Sequence, residues 1–328
     1  MIISSDSLSI IIPVYNEEKN IINILQSLEC QSLTGFNVIV IDDGSKDRTA
    51  SLVKEHKPLS YSLSLIQQNN MGAARARENA INSIQSNYIA FIDSDDTLSP
   101  DALEKALAPM LDNEGIDISL FELVYAKDLN HDSNEIFVPY STSKLIFGEE
   151  ALANCISCWG LHGFGIYKRE LIQKAYGIYY KYNQNKENYI NNDEVISRIC
   201  FGLSKNIYLS SGRYYFVHNM DSTTRRINES YYKVINNAFY LREYIDAEIK
   251  CSGFDCLNEA DKLLVSTIWG VFVRYQKWKK KFSDETKEKW REAIIKGMQN
   301  IKKINSKKNI NLHFKSKVQL YIISKLVS

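Results

Sequence analysis

From Leu8 to about Val124 one alternation repeats: short apolar runs (LSIIIPV, FNVIVID, YSLSLIQ, NYIAFID, IDISLFELVY) separated by segments of helical period at about 18–29, 47–56, 72–84 and 99–112. Parallel strands need long crossover connections, and a helix is the common one. The pattern therefore predicts an α/β fold, a mostly parallel sheet flanked by helices. Right-handed crossovers then collect the following loops at the carboxyl ends of the strands, the edge where such sheets bind ligands.

A chain of 328 residues with 45% hydrophobic content can bury a large core. Forty basic residues stand against thirty-nine acidic ones, a formal charge of +1. No global field then favours nucleic acid, and any charge-driven binding must be local. The opening residues lack a basic leader region with a cleavage site, and the run Leu8–Val14 is too short to cross a bilayer, so the expected location is cytoplasmic. Six cysteines without framework spacing are expected to be reduced; Cys155 and Cys158, with His162 nearby, read as packing residues, not half of a zinc site.

Polar clusters follow the strands. The first strand ends in Pro13, Val14, Tyr15, Asn16, Glu17 and Glu18, a ring and carboxylates able to grip a flat base, or else an Asn-capped helix start. Asp42 and Asp43 close the second, and their mutual repulsion demands a ligand, a cation or donors. Asn70, Met71 and Gly72 precede the third helix, whose start can approach a diphosphate. The fourth strand runs into Asp93, Ser94, Asp95 and Asp96. Carboxylates so crowded invite a hard cation, Mg²⁺ or Mn²⁺, although the same residues also suit a capped turn before Ser99-Pro100. Neither a G-x-G-x-x-G fingerprint nor a P-loop occurs.

In that order, IIPVYNEE, VIVIDDGSKDRT, NNMGAARARENA and YIAFIDSDD resemble the donor-binding half of the family 2 glycosyltransferases of GT-A fold, over roughly residues 8–225. The resemblance implies a Rossmann-like GT-A sheet and an inverting transfer of sugar from a nucleoside diphosphate sugar, UDP-linked by expectation, to a hydroxyl of a glycan or lipid-linked saccharide. It assigns Pro13, Tyr15, Glu17 and Asp43 to the base, Gly72 and Arg77 to ribose and phosphate, Asp93 to ribose, Ser94 to the same pocket, and Asp95 to the metal. Glu78 departs from the asparagine common there. Gly165 to Leu171 is similar to a stretch that precedes the acceptor site. Asn191-Asn192-Asp193-Glu194 falls where the family carries Glu-Asp, which makes Asp193 the expected catalytic base and keeps Glu194 as its rival. Tyr214 to Arg225 resembles the strand and loop that follow, with His218 or Asn219 toward the diphosphate.

The expected organisation is a donor part over 1–125, an acceptor part over 126–228, and a helical C-terminal extension over 229–328 with helices near 231–250, 258–277 and 284–300. After Glu292 no acidic residue occurs, while eight lysines and the apolar set Val318, Leu320, Tyr321, Ile322, Ile323, Leu326 and Val327 do. That tail suits either a packed, solvated helix or a peripheral contact with the inner face of a membrane. Two other functions compete: a nucleotide-sugar-binding module without a base, and a nucleotidyltransferase, which would be expected to carry a glycine-rich loop that is missing around Pro13.

Overall fold

The computed structural model describes residues 7–126, 135–217, 227–250, 253–308 and 314–326. In chain order the elements are β1 (Leu8–Val14), α1 (Ile21–Glu29), β2 (Asn37–Asp42), α2 (Thr49–Glu55), β3 (Ser62–Gln67), α3 (Ala73–Ser83), β4 (Tyr88–Phe91), β5 (Thr97–Leu98), α4 (Ala102–Asp112), β6 (Ile118–Ala126), β7 (Glu135–Ile136), β8 (Leu145–Phe147), α5 (Gly148–Cys155), β9 (Gly165–Lys168), α6 (Arg169–Tyr182), α7 (Asn192–Leu203), β10 (Asn206–Val217), α8 (Val234–Glu248), α9 (Cys256–Trp278), α10 (Asp284–Lys308) and α11 (Phe314–Leu326). The described residues within 1–151, 160–177 and 200–219 form one compact unit, and those within 152–159, 178–199 and 220–328 form a second.

The first unit is built on a sheet of order β3-β2-β1-β4-β9-β6-β10-β5, with β7 beside β6 and β8 beside β10. Strands β1 to β4 pair in parallel, Ile10 facing Val38 on one side and Ala90 on the other. Being central, β1 and β2 are buried almost throughout, whereas the edge strand β3 alternates exposed and half-buried residues. Helix α1 buries Ile21, Ile24, Leu25 and Leu28, the i, i+3, i+4, i+7 stripe of an amphipathic helix. Each such side chain contributes roughly 1.5–3 kcal/mol on full burial. The fifth apolar run, β6, does not adjoin β4: β9 lies between them, antiparallel to both. An antiparallel neighbour there needs no helical crossover, so the alternation of runs and helices carries no trace of it.

The second unit is helical. Ile235, Leu264, Ile268, Phe272, Trp290, Ile294 and Ile323 meet in its core. Cys30, Cys155, Cys158 and Cys200 are free thiols, but Cys256 is disulfide-bonded, contrary to the expectation of six reduced cysteines. No helix among the described residues is long and apolar enough to cross a membrane.

Candidate active site

The loops after β1 and β2 are laced together by five hydrogen bonds. Asn16 N–H donates to Ser45 Oγ (2.9 Å), Lys46 N–H to Asn16 Oδ1 (2.8 Å), and Glu17 N–H to Thr49 Oγ1 (2.8 Å). Glu18 N–H donates to Asp47 Oδ2 and Arg48 N–H to Glu18 Oε2, both at 3.1 Å. Asn16 is therefore a cross-loop staple and not the cap of α1. Its φ of 57° is a left-handed value that asparagine tolerates better than most residues. The staple holds Pro13 half-buried at the strand end, Tyr15 46% exposed, and Glu17 half-buried beside the loop after β4.

Donors answer the Asp42–Asp43 pair. Asp42 accepts from Ser45 N–H and the Gln67 amide. Asp43, almost fully buried, accepts from the Gln68 amide (2.8 Å), Met71 N–H (2.8 Å) and Gly72 N–H (2.7 Å). The side chain expected to meet a base thus also fastens the loop before α3. Gly44 (φ 82°) permits this, since a Cβ there would sit 3.1 Å from Asn70 N. Gly72 (φ 86°) opens α3 with no side-chain cap. Glu78, the departure from the family pattern, pairs with Arg75 at 2.9 Å.

The crowding after β4 is also relieved mostly from within the protein. Arg77 binds Asp93 at 2.9 Å. Asp96 is 1% exposed and takes the Tyr214 hydroxyl at 2.7 Å and Val217 N–H at 2.9 Å. That same hydroxyl accepts Asp93 N–H at 3.2 Å. Burial pushes the Asp96 carboxyl well above the usual range, with the Asp93 and Asp95 charges adding and the Tyr214 and Val217 bonds opposing. A cation is consequently not required by Asp93 or Asp96. Beside this loop burial raises the Glu17 carboxyl, the Asp95 charge raises it further, and bonds from Asn20 and Ser94 oppose the rise. Among the described residues no group of three or more His, Cys, Asp or Glu could hold a metal by itself. A carboxylate such as Asp95 is the donor type that a hard divalent ion takes, phosphate and water completing the shell.

In the second unit Asp193 lies exposed in the first turn of α7. Its neighbour Glu194 is tied to Arg198 at 3.3 Å. The Arg198 guanidinium also donates to the Cys155 carbonyl (2.7 Å) and stacks 3.9 Å from the centre of the Trp159 ring. Burial raises the Glu194 carboxyl, Arg198 lowers it, and Asp193 adds repulsion. Asn192, at the family's glutamate position, is 3% exposed. Its Oδ1 meets the Tyr179 hydroxyl (2.6 Å) and the Asn237 amide (2.9 Å). A carboxylate placed there would lie buried with no cationic partner in that contact set, which accounts for an amide.

In the first unit His162 accepts Phe164 N–H on Nδ1 and packs against the Phe137 ring, and burial lowers its pKa to about 4. That is the behaviour of a neutral packing histidine. His218 and Asn219 lie outside the described residues. Two contacts around the site were not read from the motifs: Tyr214, named only as the start of a strand, braces the acidic loop from 118 residues away, and Gln68 links Asp43 to Asn79.

The model of Glycosyl transferase family 2 matches residues 9–174, half of the chain, and the chain belongs to that family. Chondroitin synthase of Escherichia coli is 28% identical over 258 residues, 77% of this chain and 35% of that protein. The poly(ribitol-phosphate) beta-N-acetylglucosaminyltransferase TarS of Staphylococcus aureus is 31% identical over 168 residues, 50% of this chain and 28% of that one. The chain thus spans about a third of the length of these curated relatives. In fold it is similar to S. aureus TarS 1-349 solved in complex with UDP-GlcNAc, with a TM-score of 0.62 and 19% identity, over 90% of this chain and 81% of that one.

Proposed function

We propose that the chain is an inverting, metal-assisted glycosyltransferase that acts on the cytoplasmic side. It moves a sugar from a nucleoside diphosphate sugar, UDP-linked in the simplest reading, to a hydroxyl of a glycan or lipid-linked saccharide. Cell-surface polysaccharide is the expected destination. The carrying observation is the Asp93–Asp96 loop, held at the end of β4 by Arg77 and Tyr214. Solved complexes of S. aureus TarS with UDP and with UDP-GlcNAc, in the same fold, support the choice of donor.

In this reading Pro13, Tyr15, Glu17 and Asp43 flank the base, Gly72 and Arg77 the ribose and phosphate, and Asp93 and Ser94 the ribose. Asp95 would hold Mn²⁺ or Mg²⁺, whose positive charge would stabilise the departing diphosphate. Asp193 takes the proton of the acceptor hydroxyl as it attacks the anomeric carbon. Inversion follows from one displacement, with no covalent sugar on the enzyme. The amide at Asn192 favours one rival, a module that binds donor without turnover.

The test is ligand-induced stabilisation with a set of nucleotides and nucleotide sugars, with and without Mn²⁺. A donor at about a hundred times its Kd should stabilise the protein by about 2.7 kcal/mol. Asp95→Asn should erase the Mn²⁺-dependent part of that gain. A variant that bound donor with metal as tightly as the parent would refute Asp95 as the ligand. Binding without product from any acceptor would favour the non-catalytic module.

A further inference from the structure

Helix α11 presents two apolar faces, not one. Ile323 is buried in the core of the helical unit, with Leu320 and Ile322 half-buried against the same core, so one side of the helix is accounted for by packing. Phe314, Val318 and Tyr321 recur at i, i+4 and i+7, the spacing of a single helical face. They are 83%, 39% and 63% exposed, and Leu326 beyond them is 64% exposed. Lys315 and Lys317 flank this outer stripe and Lys325, four residues after Tyr321, continues it, all exposed, with the Lys325 ammonium 5.8 Å from the centre of the Tyr321 ring. On α10, Lys296, Lys302 and Lys303 are exposed as well, and no acidic residue follows Glu292.

We propose that the outer face of α11 is a peripheral membrane-binding surface selective for anionic lipid. Charge complementarity chooses the occupant. A local excess of lysine without one carboxylate, in a chain whose total formal charge is only +1, complements a surface of negative headgroups. The phenyl, valyl and tyrosyl groups between the lysines supply the part that enters the headgroup–acyl boundary, and the lysine stems reach outward from it. A nucleic acid would be drawn by the same charges but would leave the aliphatic Val318 and Leu326 unused. The thirteen described residues of α11 reach roughly 20 Å, short of a hydrocarbon core of about 30 Å.

The experiment is co-sedimentation of the full chain with vesicles of phosphatidylcholine alone and with about 30 mol% phosphatidylglycerol, in low salt and in about 0.5 M salt. Partitioning should be at least about tenfold stronger on the anionic vesicles and should fall with salt. The triple variant Lys315→Glu/Lys317→Glu/Lys325→Glu should weaken it on the order of a hundredfold, about fivefold or more per lysine. Phe314→Ser/Tyr321→Ser should weaken it too. The altered side chains are exposed, so thermal midpoints should not move, which separates lost docking from lost folding. Equal binding to neutral vesicles, no binding to either, or full binding by the triple variant would overturn the proposal. So would a lipid-free dimer that Phe314→Ser/Tyr321→Ser dissociates, which would assign the face to a second copy of the chain. Polyanion binding that needs the lysines but not Phe314 or Tyr321 would equally overturn it.

Discussion

Replacing Tyr214 by phenylalanine deletes one oxygen and two hydrogen bonds, one to the Asp96 carboxyl and one from Asp93 N–H, while leaving the ring stacked on Phe164. Asp96 is then buried with one donor fewer, at a cost of about 1–3 kcal/mol. Tyr214→Phe should therefore lower the melting temperature by several degrees and weaken donor binding more than it changes turnover at saturation. A variant that matched the parent in both melting and donor affinity would show that the hydroxyl braces nothing. The aspartates of this loop were legible in the chain because they stand within four consecutive positions. Their brace was not, because a tyrosine in a strand reads as ordinary core until the fold closes. Asn16 misled in another way: a cap and a cross-loop staple need the same short amide, and only the partner's identity, Lys46 N–H, separates them.

At the level of elements, periodicity found what is local. The four helices between the first strands, and α8, α9 and α10 near the C-terminus, stand close to where their apolar spacing placed them. Strand β9 is four residues long, and its position between β4 and β6 is set by pairing with segments far away in sequence. Gly165 opens that strand against β6, where a Cβ would collide with the Ser119 carbonyl oxygen and lie 2.9 Å from Leu120 Cα. Backbone cannot yield as a side-chain tip can, so Gly165→Ala should cost about 1–3 kcal/mol and lower the thermal midpoint. Gly177, inside α6, is the control: nothing lies within 4 Å of its added Cβ, and Gly177→Ala should be neutral or stabilising by up to about 1 kcal/mol. Calorimetry of the two variants decides the matter, and an unshifted Gly165→Ala would mean that the β6–β9 edge adjusts.

Across the whole molecule the candidate donor residues all belong to the first unit, while Asp193 belongs to the second. Donor affinity and transfer should for that reason respond to different substitutions. Asp193 is exposed at the start of α7, so Asp193→Asn should leave the fold and donor-induced stabilisation intact while lowering transfer by about 10²–10⁴-fold, the usual contribution of a positioned base. Glu194 is the rival by sequence position, but its carboxylate is held by Arg198, and that arginine is itself clamped by Trp159 and the Cys155 carbonyl. Glu194→Gln should accordingly lower the melting temperature and, once folded protein is compared, retain most transfer. Single-turnover rates and melting curves for the two variants separate the roles. If Asp193→Asn transferred sugar at the parental rate while Glu194→Gln did not, the base would be Glu194, and Arg198 would then be the group that keeps it ionised.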